Sequence, residues 1–113
     1  MDNTTKYEKM ILDIINPLDG IKFSNEPDLD TRLIIDKENH RYQVVTTGWE
    51  KSGKRVHNCM MHIEIIDEKI WIQRNMTEID PGKKLVYQGV PPSEIVVGFL
   101  KPKMRELSDY AIA

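Results

Sequence analysis

The chain has a single cysteine, Cys59, no long apolar run, no excess of basic residues, no repeat and no low-complexity stretch. Each absence removes a class of protein. One cysteine excludes an internal disulfide, and such sparing use fits a reducing compartment. A membrane-spanning helix needs about 20 consecutive apolar residues, and no run approaches that length. The N-terminal MDNTTKYEK is polar and lacks the apolar centre of a secretory signal, so a cytoplasmic, membrane-free protein is expected. Asn3-Thr4-Thr5 and Asn75-Met76-Thr77 match the N-glycosylation pattern, which without secretion reads as chance. Sixteen basic residues face eighteen acidic ones, for a net charge of −2. Nucleic-acid binders draw most of their non-specific affinity from phosphate neutralisation by a basic excess. Direct DNA binding by the isolated chain is therefore expected to be weak or undetectable. With 113 residues the chain suffices for one domain, 1–113, around one core.

What is present is a pattern of strands. The stretch from His40 to Thr77 holds three β-branched and aromatic runs separated by two charged breaks, the mark of an antiparallel meander. Strands are expected near 31–35, 41–48, 55–66, 69–75 and 95–99. Glu50 to Lys54 is a charged hairpin tip, and Asp67-Glu68 a two-residue turn. Tyr42, Val44 and Thr46 share one side, opposite Gln43, Val45 and Thr47. In the third strand, strict alternation puts His57, Cys59, Met61, Ile63 and Ile65 on the core face. Asn58, Met60, His62, Glu64 and Ile66 then face away. Ile70 and Ile72 oppose Trp71 and Gln73.

Before the strands, Tyr7, Met10, Ile11, Ile14, Ile15 and Leu18 form an apolar helical stripe. Asn3, Thr4 or Thr5 can cap it, and Pro17 should end it by driving Asn16 out of the α region. Ile21 to Asp28 reads as a connection, with short strand character near Ile21 to Ser24. A second, short helix lies between Thr77 and Gln88, with Asp80-Pro81 as cap and first turn and Gly89 as stop. After Leu100, a basic cluster of Lys101, Lys103 and Arg105 precedes an apolar end, Tyr110 to Ala113, which is expected to pack. The fold class is α+β: an antiparallel sheet with both helices on one face, and a second face left partly polar or covered by a partner.

No set of residues meets the needs of catalysis. Gly48 to Lys54 has P-loop spacing, but Arg55 stands where a Ser or Thr must hold magnesium, and a strand follows instead of a helix. His57 and Cys59 are expected on one face, His62 and Glu64 on the other, so they cannot converge on zinc without a bulge. Cys59 lacks an activating neighbour. Asp67-Glu68-Lys69 and Asp36/Glu38 have nuclease residue types but sit in turns. No cofactor and no metal site is expected. Trp49 and Trp71 have better claims as binding residues, because tryptophan is enriched at interface hot spots, against the plainer account of half-buried cross-strand aromatics.

The order of signals resembles the XisI family, the fdxN element excision controlling factors of cyanobacteria. The resemblance rests on Tyr42-Gln43, Gly48-Trp49, Arg55, His62-Ile63, Lys69-Ile70-Trp71-Ile72-Gln73 and Thr77-Glu78. It continues through Gly89-Val90-Pro91, Ile95-Val96, Gly98-Phe99, Arg105 and Ala111-Ile112-Ala113. Three departures stand out: Pro92 in place of a common lysine, Pro81-Gly82 where better helix formers are usual, and Tyr110 in place of a phenylalanine.

The resemblance implies an accessory factor of programmed DNA rearrangement by site-specific recombination. Such a factor acts beside a XisH-like protein while a recombinase cuts the strands, and it offers no catalytic residue to carry over. The expectation is a non-enzymatic control factor working by protein–protein contact. The candidate partner-binding residues are Trp49, Trp71, Gln73 and Arg55, centred on a sheet face or edge bearing Trp71 and Gln73, with self-association as a further option. The alternative is a DNA-binding accessory factor using Arg41, Lys51, Lys54 and Arg55 at one hairpin end. A third, weaker reading is an unrecognised small enzyme, for which a deep pocket of converging polar groups would be the sign.

Overall fold

A computed structural model describes residues 3–113. Five strands form one sheet in chain order: β1 (Leu29–Asp36), β2 (Arg41–Trp49), β3 (Arg55–Ile66), β4 (Lys69–Asn75) and β5 (Ile95–Val97). The first four pair antiparallel, joined by the turns expected of a meander. β5 runs parallel to β4. The chain reaches it through helix α2 (Pro81–Tyr87), and a crossover of this kind returns a strand in the same direction. β5 is also shorter than expected, because Gly98 and Phe99 leave the sheet.

Helix α1 (Thr4–Ile15) lays Tyr7, Ile11, Ile14 and Ile15 on the sheet, against Tyr42, Val44, Met61, Ile63, Ile70 and Ile72. α2 adds Leu85 to the same core. Both helices therefore pack on one face. Asn3 is the N-cap of α1 through its backbone carbonyl, which accepts the Tyr7 N–H at 2.8 Å, and not through its side chain. The α-helix stops at Ile15, but Asn16 keeps α-region angles (φ −53°, ψ −41°). Pro17 thus ends the ladder by lacking an N–H, and not by expelling Asn16. The chain tightens into one 3₁₀ turn over Asn16–Leu18, closed by Asp19 N–H on the Asn16 carbonyl at 3.1 Å. In the connection that follows, the expected strand character reduces to one bridge between Phe23 and Glu26. No helix among the described residues is long and apolar enough to cross a membrane.

Two bulges set the facing of the central strands. Val44 pairs with Met61 but Val45 pairs with Cys59, so Met60 is an extra residue in β3. A bulge reverses the alternation on one side of itself. His57 and Cys59 consequently leave the face of Met61, Ile63 and Ile65, correcting the strict-alternation reading. Val56 and Asn58 take the core side in their place. In β4, Ile63 pairs with Ile72 and His62 with Arg74, which leaves Gln73 unpaired. Asn75 then returns to the core side opposite Met61, where its amide donates to the Ile79 carbonyl at 2.7 Å.

α2 starts at Pro81, later than Thr77. Asp80 caps it, accepting the Lys83 N–H at 3.1 Å. The Thr77 hydroxyl is engaged elsewhere, with Asn75 Oδ1 at 2.7 Å and the Ile79 N–H at 3.2 Å. Past Leu100, a short helix α3 (Pro102–Arg105) and an apolar end close the sheet beyond β5. Ala111 bridges Val96 in parallel, and its N–H donates to the Ile95 carbonyl at 2.8 Å. Tyr110 packs against the core with its hydroxyl over Gly82.

That contact yields a test. A Cβ at position 82 would lie 2.7 Å from Tyr110 Oη. Alanine is a better helix former than glycine by about 1 kcal/mol, yet Gly82→Ala should lose stability, because forced overpacking costs about 1–3 kcal/mol. Urea unfolding should show the loss, and adding Tyr110→Phe should recover part of it.

The alkaline limb offers a second test. Tyr7 is buried and its hydroxyl donates to Glu94 Oε1 at 2.6 Å. Burial first, then the carboxylate, pushes its pKa from 10.0 up to about 12. The folded chain keeps a proton that the unfolded chain releases, so this stability is complete below the unfolded value and is lost as pH climbs from about 10 to 12. Burial raises Tyr42 and Tyr110 in the same direction. Tyr7→Phe should therefore flatten the fall in Tm above pH 10 without abolishing it.

Candidate functional site

The face of the sheet turned away from α1 and α2 carries the exposed polar and aromatic groups. Across its centre, Arg41 pairs with Glu64 and Glu64 with Trp71; Gln43 pairs with His62 and His62 with Arg74. His62 Nε2 lies 3.0 Å from Glu64 Oε1, and Arg41 Nε lies 3.8 Å from the same oxygen. Arg74 Nε donates to the Cys59 carbonyl at 2.6 Å, across from β4 to β3. His62, Glu64 and Arg74 thus have short contacts to neighbours, while the Arg41 side chain remains 59% exposed. Towards β1 the same face adds exposed Ile34, opposite Gln43, and Val45, which is buried opposite Arg32.

Trp71 is half-buried, with the Arg105 guanidinium 5.1 Å above its ring centroid. Arg105 also donates to the carbonyls of Leu100 (3.0 Å), Ile112 (3.2 Å) and Gly98 (3.3 Å). A Cβ at Gly98 would meet the end of the Gln73 side chain and come 3.1 Å from the Trp71 ring. Trp71 and Gln73 therefore lie side by side, but on an interior strand. Their edge is taken by β5 and the C-terminal segment, so of the expected "face or edge" only the face is available.

Trp49 and Arg55 lie elsewhere, paired at the β2–β3 hairpin end. Trp49 is 53% exposed, and Arg55 sits 5.3 Å over its ring. Lys51 and Lys54 flank the same tip, and Glu26 Oε2 accepts the Lys51 N–H at 2.8 Å. Arg41 does not join them, which corrects the four-residue basic cluster. It begins β2 while Trp49 ends it, on the order of 25 Å away at about 3.3 Å per residue. The Gly48–Lys54 segment joins two strands, so it lacks the helix N-terminus of a phosphate loop.

The Met60 bulge brings His57, Cys59, His62 and Glu64 onto one face, contrary to the expectation that they are divided. They remain spread along the strand: among the described residues, no three His, Cys, Asp or Glu side chains gather closely enough to hold a metal ion. Burial raises the Cys59 thiol pKa, partly offset by Arg74, and the thiol donates to the Met61 carbonyl at 3.4 Å. This is the setting of an unreactive cysteine. On the helix side, an open groove of about 400 Å³ is lined mainly by Leu18, Ile21, Phe23, Met60 and Met76. The Thr31 and Thr46 hydroxyls within it satisfy each other at 3.0 Å.

Sequence alternation already set His62 and Glu64 on one face, but it kept Arg74 with Ile70 and Ile72 and Cys59 with the core, and the two bulges bring both to that face. The HNCMMHIEI run gives no signal of where an extra residue sits. The role of Arg105 was equally hidden, since three of its partners are backbone carbonyls. Arg105→Ala should cost about 2–3 kcal/mol through lost charged hydrogen bonds and ring stacking. Hydrogen exchange should rise in residues 110–113. Arg105→Lys, which keeps charge but not the fork, should recover less than half.

No curated protein matches the chain. Two solved structures resemble it closely. One is a XisI-like protein from Anabaena variabilis ATCC 29413, 33% identical, with a TM-score of 0.86 over 97% of this chain and 99% of that one. The other is the fdxN element excision controlling factor XisI from the same organism, also 33% identical, with a TM-score of 0.84 over 99% of this chain and 100% of that one. A family model described as XisI protein matches residues 1–112. The α+β fold and the length of the match agree, and the chain belongs to the XisI family.

Proposed function

We propose that this protein is a non-catalytic control factor of DNA element excision, acting by contact with a XisH-like protein through the helix-free face around Trp71. One observation carries the reading. That face carries half-buried Trp71 beneath the Arg105 guanidinium of α3, exposed Ile34, and the His62–Glu64 and Arg74–Cys59 contacts, while α1 and α2 pack on the opposite side. Tryptophan and arginine anchors in such settings supply a large share of binding energy. The name of the Anabaena variabilis controlling factor accords with it.

Trp71→Ala should weaken capture of the purified XisH-like partner by about 30-fold, or about 2 kcal/mol. Trp71 also supports the Arg105 clamp, so His62→Ala serves as a second probe that leaves the clamp intact and should weaken binding as well. Normal binding by both variants, each folded by circular dichroism, would move the contact elsewhere. Incubation with supercoiled DNA and magnesium or manganese should give no specific cleavage.

A second reading has its own observation. Exposed Trp49 stands among Lys51, Lys54 and Arg55, a pairing of ring and cation that suits nucleic acid. Glu50 and Glu26 at the same tip oppose it. A gel shift at physiological salt that Lys51→Glu/Lys54→Glu abolishes would favour this reading over the first.

A further inference from the structure

The two edges of the sheet are treated differently. The β5 edge is closed by Ala111 and the C-terminal segment. The β1 edge is closed over only half its length. The Thr31 carbonyl accepts Gly20 N–H at 2.8 Å, and Leu29 N–H donates to the Glu26 carbonyl at 3.3 Å. Odd-numbered residues of β1 thus turn their backbone groups away from β2. By the two-residue period, Leu33 and Ile35 do the same, and no loop of the described residues reaches them. Their surroundings are apolar: Ile34 is 52% exposed and Ile35 37%. Exposed edges are ordinarily blunted by proline, lysine or cover, and Leu33 to Asp36 has none of these.

We propose that this edge pairs with a second copy of the chain, β1 against β1 in antiparallel register centred on Ile34. The register follows from two independent constraints. Only a pairing about Ile34 joins Leu33 to Ile35 of the second copy and Ile35 to its Leu33, so that every free backbone group on both edges is used. The same register sets Arg32 opposite Asp36 of the second copy, twice by symmetry, with Ile34 on Ile34 between them. Shifting the centre one residue towards the N-terminus, to Leu33, sets Asp30 against Asp36 and Arg32 against Ile34. All the facing residues lie on matching sides, since Arg32, Ile34 and Asp36 share the helix-free face and Leu33 and Ile35 the other. The two sheets become one sheet of ten strands. The Gly20–Glu26 loop halts further overlap beyond Thr31. This edge is opposite the one near Trp71 and does not depend on how the Trp71 face is used.

Light scattering on the purified full chain at micromolar concentration should give twice the 13.2 kDa chain mass. Arg32→Glu alone and Asp36→Lys alone should each be monomeric, because both place like charges opposite each other. Mixing the two should restore a dimer, since each then meets an opposite charge. Asp36 also accepts the Glu38 and Asn39 N–H groups in its turn, so circular dichroism must show Asp36→Lys folded. A second probe avoids that turn. In a Cys59→Ser background, Ile34→Cys should form an intermolecular disulfide, because directly opposed residues without mutual hydrogen bonds have Cα atoms about 4.5 Å apart. Ile66→Cys, also exposed, should not. A monomeric wild-type chain, or a dimer in which Ile34→Cys cross-links no faster than Ile66→Cys, overturns the proposal.

Discussion

The extra residue Met60 governs what each face of the sheet presents. Without it, Cys59 and His57 would point into the core and Val56 and Asn58 outward. With it, β3 keeps Met61, Ile63 and Ile65 under α1 and still sends His57, Cys59, His62 and Glu64 to the other side. The second bulge, at Gln73, does the same for β4 and puts Arg74 on the face where it can bond the Cys59 carbonyl. The helix-free face owes its composition to these two displacements. A bulge also strengthens local twist.

The C-terminal segment depends on that arrangement in turn. Trp71 offers a ring only because β4 faces as it does, and Arg105 uses the ring as a floor from which it gathers three carbonyls. Lys69 reaches the last residue, bonding the Ala113 carbonyl. Two departures from the family pattern meet at the other side of the same segment. The tyrosine hydroxyl at 110 occupies the room that glycine leaves at 82, so a weak helix position and a larger aromatic compensate one another. The β5 edge is sealed by these contacts. The β1 edge has nothing comparable beyond Thr31, and the asymmetry between the two edges is a property of the fold as a whole.

Much of the fold was legible in the residues themselves. Alternation of β-branched and aromatic side chains placed all five strands, with β2, β3 and β4 within a residue of their observed ends. The helical stripe from Tyr7 to Ile15 and the Asp80-Pro81 cap are local signals with local causes, a 3.6-residue period and an orphan N–H satisfied by a carboxylate. Of the apolar end expected to pack, Tyr110 and Ala111 do so, while Ile112 stays 52% exposed and Ala113 exposed. What local pattern could not decide was direction, facing and convergence. β5 is parallel because a helix intervenes. Asn16 stays helical in angle because one 3₁₀ turn suffices before the chain leaves. Arg41 parts from Lys51, Lys54 and Arg55 because a strand is a rod, and its two ends are far apart.

By itself, then, the sequence determined the elements and the apolar stripe of α1, because hydrophobic periodicity and capping act over a few residues. Only the tertiary structure decided which residues share the helix-free face and which edge is left open. Both depend on pairing register between strands, and register is a relation between distant segments that no single segment encodes.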